Sequence, residues 1–221
     1  MLIGRATKYG TGIEICGDYY DLNTLHEMIW TMADNTREGS PANIMILNFA
    51  YEIRKALENQ REIVEMSEMA GGESLQYKSC KLFWADFIVG VNLLREQASY
   101  LDTDKNQQSI LYRLEYIGVK AMIEYDNKLG TELSKWITHF TPYHDLPVNV
   151  IVPEIDVCQM NERNGKSRFK KLLDQMQLLN RFSPQGNLYM SELEKQAKEL
   201  GCEISQLRLP DEAWNITTWK W

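Results

Sequence analysis

Two of the three histidines, His139 and His144, lie five residues apart with Asp145 adjoining, in the run His-Phe-Thr-Pro-Tyr-His-Asp. Two imidazoles and a carboxylate are zinc or iron ligands by type. The spacing matches no pair on one helix face, and Pro142 puts the second imidazole in a loop. A clear third or fourth ligand is missing, so no metal and no cofactor are expected. His139, His144 and Asp145 remain the candidates for a cryptic acid–base or metal site. His26 lies beside Glu27 on a helical stretch and reads as a surface or core-edge residue rather than a general base.

Other motifs imitate known chemistry incompletely. Asn164-Gly165-Lys166-Ser167 resembles the end of a phosphate loop, but the required glycine five residues before Gly165 is Met160. The stretch reads instead as a helix start, with Arg168, Lys170 and Lys171 on the wet side. Gly10-Thr11-Gly12 with Gly17 fails the dinucleotide fingerprint, because no helix opens on those glycines. Tyr189–Leu207 has the look of a helix-turn-helix, but Pro210 cuts its second helix below two turns and Arg208 is its one basic residue. Asp86 stands in an apolar run, in a first helical turn where the helix dipole favours a carboxylate. Glu115 and Glu124 are nine residues apart and point to opposite sides of one helix. Neither Gly-x-Ser-x-Gly nor HExxH occurs.

The elements that must position these groups are easier to read. Trp84, Ile88, Val91, Leu94, Ala98 and Leu101 form one stripe. Ile110, Leu114, Ile117, Ala121, Tyr125, Leu129, Leu133, Trp136 and Phe140 form a second. Steps of three or four residues are the repeat of one helix face, so two long amphipathic helices are expected, with Trp84 and Trp136 in the core. Gly130-Thr131 is expected to break or kink the second. Leu2–Arg5 and Ile13–Cys16 flank a glycine-rich turn and predict a hairpin; Arg61–Met69 and Ser74–Leu82 predict another around Gly71-Gly72. Asp18 and Asp21 offer caps for a helix through Met32, and Ser40-Pro41 opens the next. Pro142, Pro147 and Pro153 punctuate a boundary, with a short strand expected at Val148–Val152. Helices follow at Ser167–Arg181 and Tyr189–Leu200, on either side of a turn at Ser183-Pro184-Gln185-Gly186. The fold expected is α+β, predominantly helical, with a small antiparallel sheet from the N-terminal half. Residues 1–141 would form the core and 142–221 a helical appendage, separate or packed on it as one unit.

Composition narrows the classes. The 221 residues carry a net charge of −7, which disfavours binding phosphate backbones over the whole surface. The charge is uneven: residues 161–221 hold ten Lys/Arg against eight Asp/Glu. Cys16, Cys80, Cys158 and Cys202 form no CxxC pair and suit reduced thiols in a cytosol. Leu82–Leu94, the longest apolar stretch, is interrupted by Asp86 and Asn92 and is too short to span a membrane. Trp214, Trp219 and Trp221 crowd three large rings into eight residues. Such rings must dock, either on the chain itself or on a protein partner or second copy.

The opening Ala6-Thr7-Lys8-Tyr9-Gly10-Thr11-Gly12-Ile13-Glu14-Ile15 with Gly17-Asp18-Tyr19-Tyr20-Asp21-Leu22 resembles an uncharacterised bacterial family of unknown function. Ala50–Ala56 and Leu82-Phe83-Trp84 resemble the same family, over roughly the first 140 residues. The resemblance implies a bacterial cytoplasmic protein and carries no activity. The function expected is therefore a non-enzymatic cytoplasmic protein acting through protein–protein contacts. The alternatives are an enzyme using His139, His144 and Asp145, and nucleic-acid binding through the C-terminal helical hairpin.

Overall fold

The computed structural model describes residues 1–67, 74–138, 146–214 and 220–221. It is an α+β fold in which helices outweigh one four-stranded antiparallel sheet. Strands β1 (Ile3–Ala6) and β2 (Gly12–Gly17) form the expected first hairpin, with Ile3 opposite Cys16. Thr7 Oγ1 accepts the N–H groups of Thr11 and Gly12, and Gly10 takes a φ of +66°, so the turn is tied by its own residues. Strands β3 (Ile63–Ser67) and β4 (Ser74–Phe83) form the second hairpin. The sheet order is β1-β2-β4-β3, which places β2 in the interior with Ile13 and Ile15 fully buried.

Helix α1 (Tyr19–Asp34) starts at a capping box in which Asp18 accepts the N–H of Asp21. Helix α2 (Pro41–Leu57) starts on Ser40, with proline at the first helical position as the sequence predicts. Strand β4 passes without a loop into α3 (Trp84–Ala98), which is buried on nearly every side. The first stripe holds: Trp84, Ile88, Val91, Leu94 and Ala98 are all buried, and the helix ends before Leu101.

The second stripe is two helices, and the break is not where the glycine suggested. Helix α4 (Lys105–Tyr125) ends at Asp126, whose backbone is extended. The Asp126 carboxylate then accepts the N–H groups of Lys128 and Leu129 and so caps α5 (Asn127–Thr138). Gly130 lies inside α5, where a Cβ would stand 2.1 Å from the Met122 carbonyl oxygen. Glycine there permits close helix approach rather than ending a helix. Trp136 is half-buried, not a core residue.

Val148–Val152 is not a strand. It opens helix α6 (Val148–Met160), apolar almost all round and packed against α2, α3 and the next helix, α7 (Gly165–Gln175). A buried helix and a buried strand give the same apolar run, and here the tertiary surroundings decide. α7 stops short of Arg181 and continues as a 3-10 turn, Met176–Leu179. Helix α8 (Pro184–Leu200) begins earlier than expected, because Ser183 caps it and Pro184 takes its first position. One contiguous hydrophobic cluster draws side chains from Leu2 through Leu207, so residues on both sides of position 141 share a core.

Candidate functional site

The sequence candidates separate widely. His139, His144 and Asp145 lie outside the described residues, as does Trp219. Among the described residues no three His, Cys, Asp or Glu side chains are placed to hold a metal ion. Asn164 caps α7 in a capping box with Ser167, which accounts for the resemblance to a phosphate loop. Arg168 is not on the wet side: it is 3% exposed and holds backbone carbonyls. After α8, the position of a recognition helix is taken by a three-residue 3-10 turn, Ile204–Gln206. Glu115 pairs with Arg95 at 2.7 Å and Glu124 with Lys120 at 3.7 Å.

The chemically unusual place is one the sequence half revealed. Asp86 is the third residue of α3, and Phe83 at the N-cap supplies no capping side chain. Asp156 comes from α6, 2% exposed, and its Oδ1 accepts no hydrogen bond from any described residue. No Lys, Arg or His among the described residues forms an ion pair with either carboxyl. The Arg61 guanidinium, which lines the same cleft as Asp86, is committed elsewhere. Arg61 donates from Nε and Nη2 to the two oxygens of Glu52, both at 2.8 Å.

Burying an unpaired carboxylate is costly, so such a group holds its proton. Burial raises Asp86 to about 7, and the negative charge of Glu52 adds to the rise. Burial, and then the charge of Asp86, raises Asp156 well above the ordinary carboxylate range. Two groups close enough for the charge of one to raise the other resist double ionisation, and near neutrality the pair retains a proton. The helix dipole at the start of α3 acts the other way, favouring ionised Asp86, but it does not outweigh burial here.

Asp86 is the member that reaches solvent. It lines a cleft of about 530 Å³ together with Glu52, Arg61, Lys81, Phe83 and Trp221. A second cavity, of about 230 Å³ and walled by Met45, Asn48 and Phe49, shares Glu52, Leu82 and Asp86 with the first. Asp86 therefore stands where two spaces meet. The Phe83 and Trp221 rings stack at 4.8 Å and form the aromatic side of the larger cleft.

Asp86 is conspicuous in the sequence and Asp156 is not. The available signal was a lone aspartate in the apolar run Val148–Val157, and the strand expected at Val148–Val152 hid it. In a helix, Asp156 falls on a buried face.

A separate apolar groove of about 660 Å³ runs between α1 and α2. Trp30 and Tyr51 stand in it 48% and 46% exposed, and the Arg54 guanidinium lies 5.4 Å from the Tyr51 ring centre. His26 stacks on Trp30, and burial followed by the charge of Arg54 lowers its pKa.

Among the described residues no helix is long and apolar enough to cross a membrane. No curated protein and no solved structure matches the chain. A family match does exist, and it extends well past the 140 residues that carry the opening resemblance. The chain belongs to the family described as a domain of unknown function (DUF6904), whose model matches residues 2–221.

Proposed function

We propose that the protein is an acid–base catalyst for a small polar ligand, with Asp86 as the group that exchanges the proton. The observation that carries this reading is Asp86, a half-buried carboxyl with no ion-pair partner among the described residues, standing at the junction of two cavities, with the deeply buried Asp156 on the neighbouring helix α6. A buried carboxyl pair of this kind is a poor device for stability, since apolar residues of equal volume would pack at no desolvation cost. It is a good device for proton transfer, because a group that titrates near 7 is available in both forms at neutral pH. Asp86 donates or accepts at its carboxyl. Burial and then the charge of Glu52 hold its proton affinity up, and Arg61 holds Glu52 in place. Phe83 and Trp221 give the ligand an apolar wall. Free thiols at all four cysteines fit a reducing, cytoplasmic setting.

The test is a protein-observed NMR screen of small polar compounds against the isotope-labelled chain at pH 5.5 and 8.5. Hits that shift residues around Asp86 should bind with a pH dependence centred near 7, and Asp86→Asn should abolish that dependence. Hits that all map elsewhere, or that bind the cleft independently of pH, would contradict the proposal.

A second reading, contact with a protein partner, draws on the α1–α2 groove. Exposed Trp and Tyr beside Arg is the composition of an interface centre. The simplest occupant is a second copy. Sedimentation velocity should then show a dimer that Trp30→Ser dissolves, and a monomer at every concentration would exclude that occupant.

A further inference from the structure

Five charged side chains line the larger cleft at Asp86: Glu52, Arg61, Glu62, Lys81 and Asp86 itself. The first four already answer one another. Arg61 closes on Glu52 with two hydrogen bonds of 2.8 Å. Lys81 Nζ donates to Glu62 Oε1 at 2.5 Å. Asp86 is left over, with no ion-pair partner among the described residues. Once Asp86 ionises, the cleft therefore carries one uncompensated negative charge. A ligand that brings one positive charge completes it.

The space and its walls point to an organic cation rather than a bare ion. A volume of about 530 Å³ is that of a small-molecule site. Among the described residues no three His, Cys, Asp or Glu side chains are placed to hold a metal ion. Phe83 and Trp221 line the same cleft, their rings 4.8 Å apart. Aromatic rings bury hydrocarbon and attract cations to the negative face of their π systems. An anionic ligand would have to draw Arg61 or Lys81 out of an existing pair while lying near the Asp86 and Glu52 carboxyls. A neutral ligand would leave the charge on Asp86 unanswered.

We propose that the Asp86 cleft binds a small organic ammonium ion, its nitrogen donating to the Asp86 carboxylate and its hydrocarbon body lying against Phe83 and Trp221. This names the ligand class of the acid–base site and rests on that reading of the cleft. The other titratable or charged groups around Asp86 are Tyr51 and Glu52 from α2, Arg61 and Glu62 from the segment before β3, Cys80 and Lys81 from β4, and Asp156 from α6. Asp86 holds its proton up to about 7, and an ammonium ion binds the ionised form. Binding therefore sends the Asp86 proton to the buffer, and affinity falls as the pH drops below 7. The ligand nitrogen stays charged across neutral pH, as a lysine side chain does.

The experiment compares probes of one shape and different charge on the full isotope-labelled chain, by protein-observed NMR at pH 6 and pH 8. The probes are phenethylammonium, neutral phenethyl alcohol and anionic phenylacetate. Phenethylammonium should shift residues of the cleft and bind about tenfold more tightly at pH 8 than at pH 6, which is the change in the ionised share of a group titrating near 7. At pH 8 phenethyl alcohol should bind more weakly than phenethylammonium, and phenylacetate more weakly still. Asp86→Asn should remove the difference between the two pH values. Glu62→Gln, which takes the carboxylate from Lys81, should weaken phenethylammonium about threefold. Phenethyl alcohol or phenylacetate binding the cleft as tightly as phenethylammonium at pH 8 would overturn the proposal. So would the absence of any shift at the cleft with millimolar phenethylammonium. The Asp86 carboxyl is titrated in parallel without a probe. If it titrates as an ordinary carboxylate, the acid–base reading fails; if it titrates near 7 and the ammonium ion is not preferred, only the ligand class fails.

Discussion

Replacing Asp86 by asparagine should stabilise the protein, and should do so only as the pH rises. The neutral amide copies the protonated carboxyl in shape and never ionises. In the unfolded chain Asp86 loses its proton at its ordinary value of 3.8, whereas the folded chain holds it to about 7. Below pH 4 both states are protonated and the aspartate costs nothing on this account. Between 4 and 7 the unfolded state is favoured by its ability to ionise, and the folded state loses stability steadily. Three pH units at about 1.4 kcal/mol each set a ceiling of about 4 kcal/mol. Water reaching Asp86 through the cleft relaxes this, so a gain of about 2 kcal/mol for Asp86→Asn at pH 7.5 relative to pH 4 is the working figure. Lowered repulsion on Asp156 acts in the same direction. The assay is urea unfolding of both proteins at half-unit steps from pH 4 to 8, with the m-value checked for constancy. Two stability curves that run parallel across that range would refute the reasoning, whatever their absolute offset.

Other outcomes follow from the packing. Trp84→Ala empties a fully buried site and should cost about 3–5 kcal/mol, while Trp136→Ala, at a half-buried position, should cost clearly less in the same unfolding assay. Gly130→Ala would help an isolated helix by about 1 kcal/mol, yet its Cβ would stand 2.1 Å from the Met122 carbonyl oxygen, so calorimetry should show a lower melting temperature. Native alkylation should modify Cys202 and Cys158, both partly exposed, and leave Cys16 and Cys80, whose thiols burial pushes up, untouched until denaturant is added. Mass spectrometry reads that order directly, and early labelling of Cys80 would contradict the register of β2 on β4.

The fold is legible in the sequence where the chain makes its own structure. Asp18, Ser40 and Pro41 mark helix starts because a cap is satisfied within three residues, and the first hairpin announces itself by turn chemistry between apolar runs; the expected turn at Gly71-Gly72 lies outside the described residues, and β3 and β4 pair on either side of it. It is not legible where a distant neighbour decides. Gly130 reads as a helix breaker until Met122 is seen against it, and Asp126 ends α4 with a cap that serves the following helix. Arg168 reads as a solvated charge on α7; beside the local Glu162 carbonyl, its partners include the carbonyls of Tyr9 and Lys220, from opposite ends of the chain. The site shows the same division. An aspartate in an apolar run is visible at position 86, but its partner lies 70 residues on, in a helix written with strand-forming residues. Nothing local to either residue predicts that α3 and α6 bring them together.

The central claim is that Asp86 and Asp156 form a carboxyl pair that keeps a proton at neutral pH. The most direct measurement is the 13C NMR titration of the aspartate side-chain carboxyls in the full chain, with Asp86→Asn and Glu52→Gln as partners. Asp86 should titrate near 7 in the wild type and fall in Glu52→Gln, and Asp156 should fall in Asp86→Asn. Midpoints near 4 for both residues, unmoved by either substitution, would contradict the account.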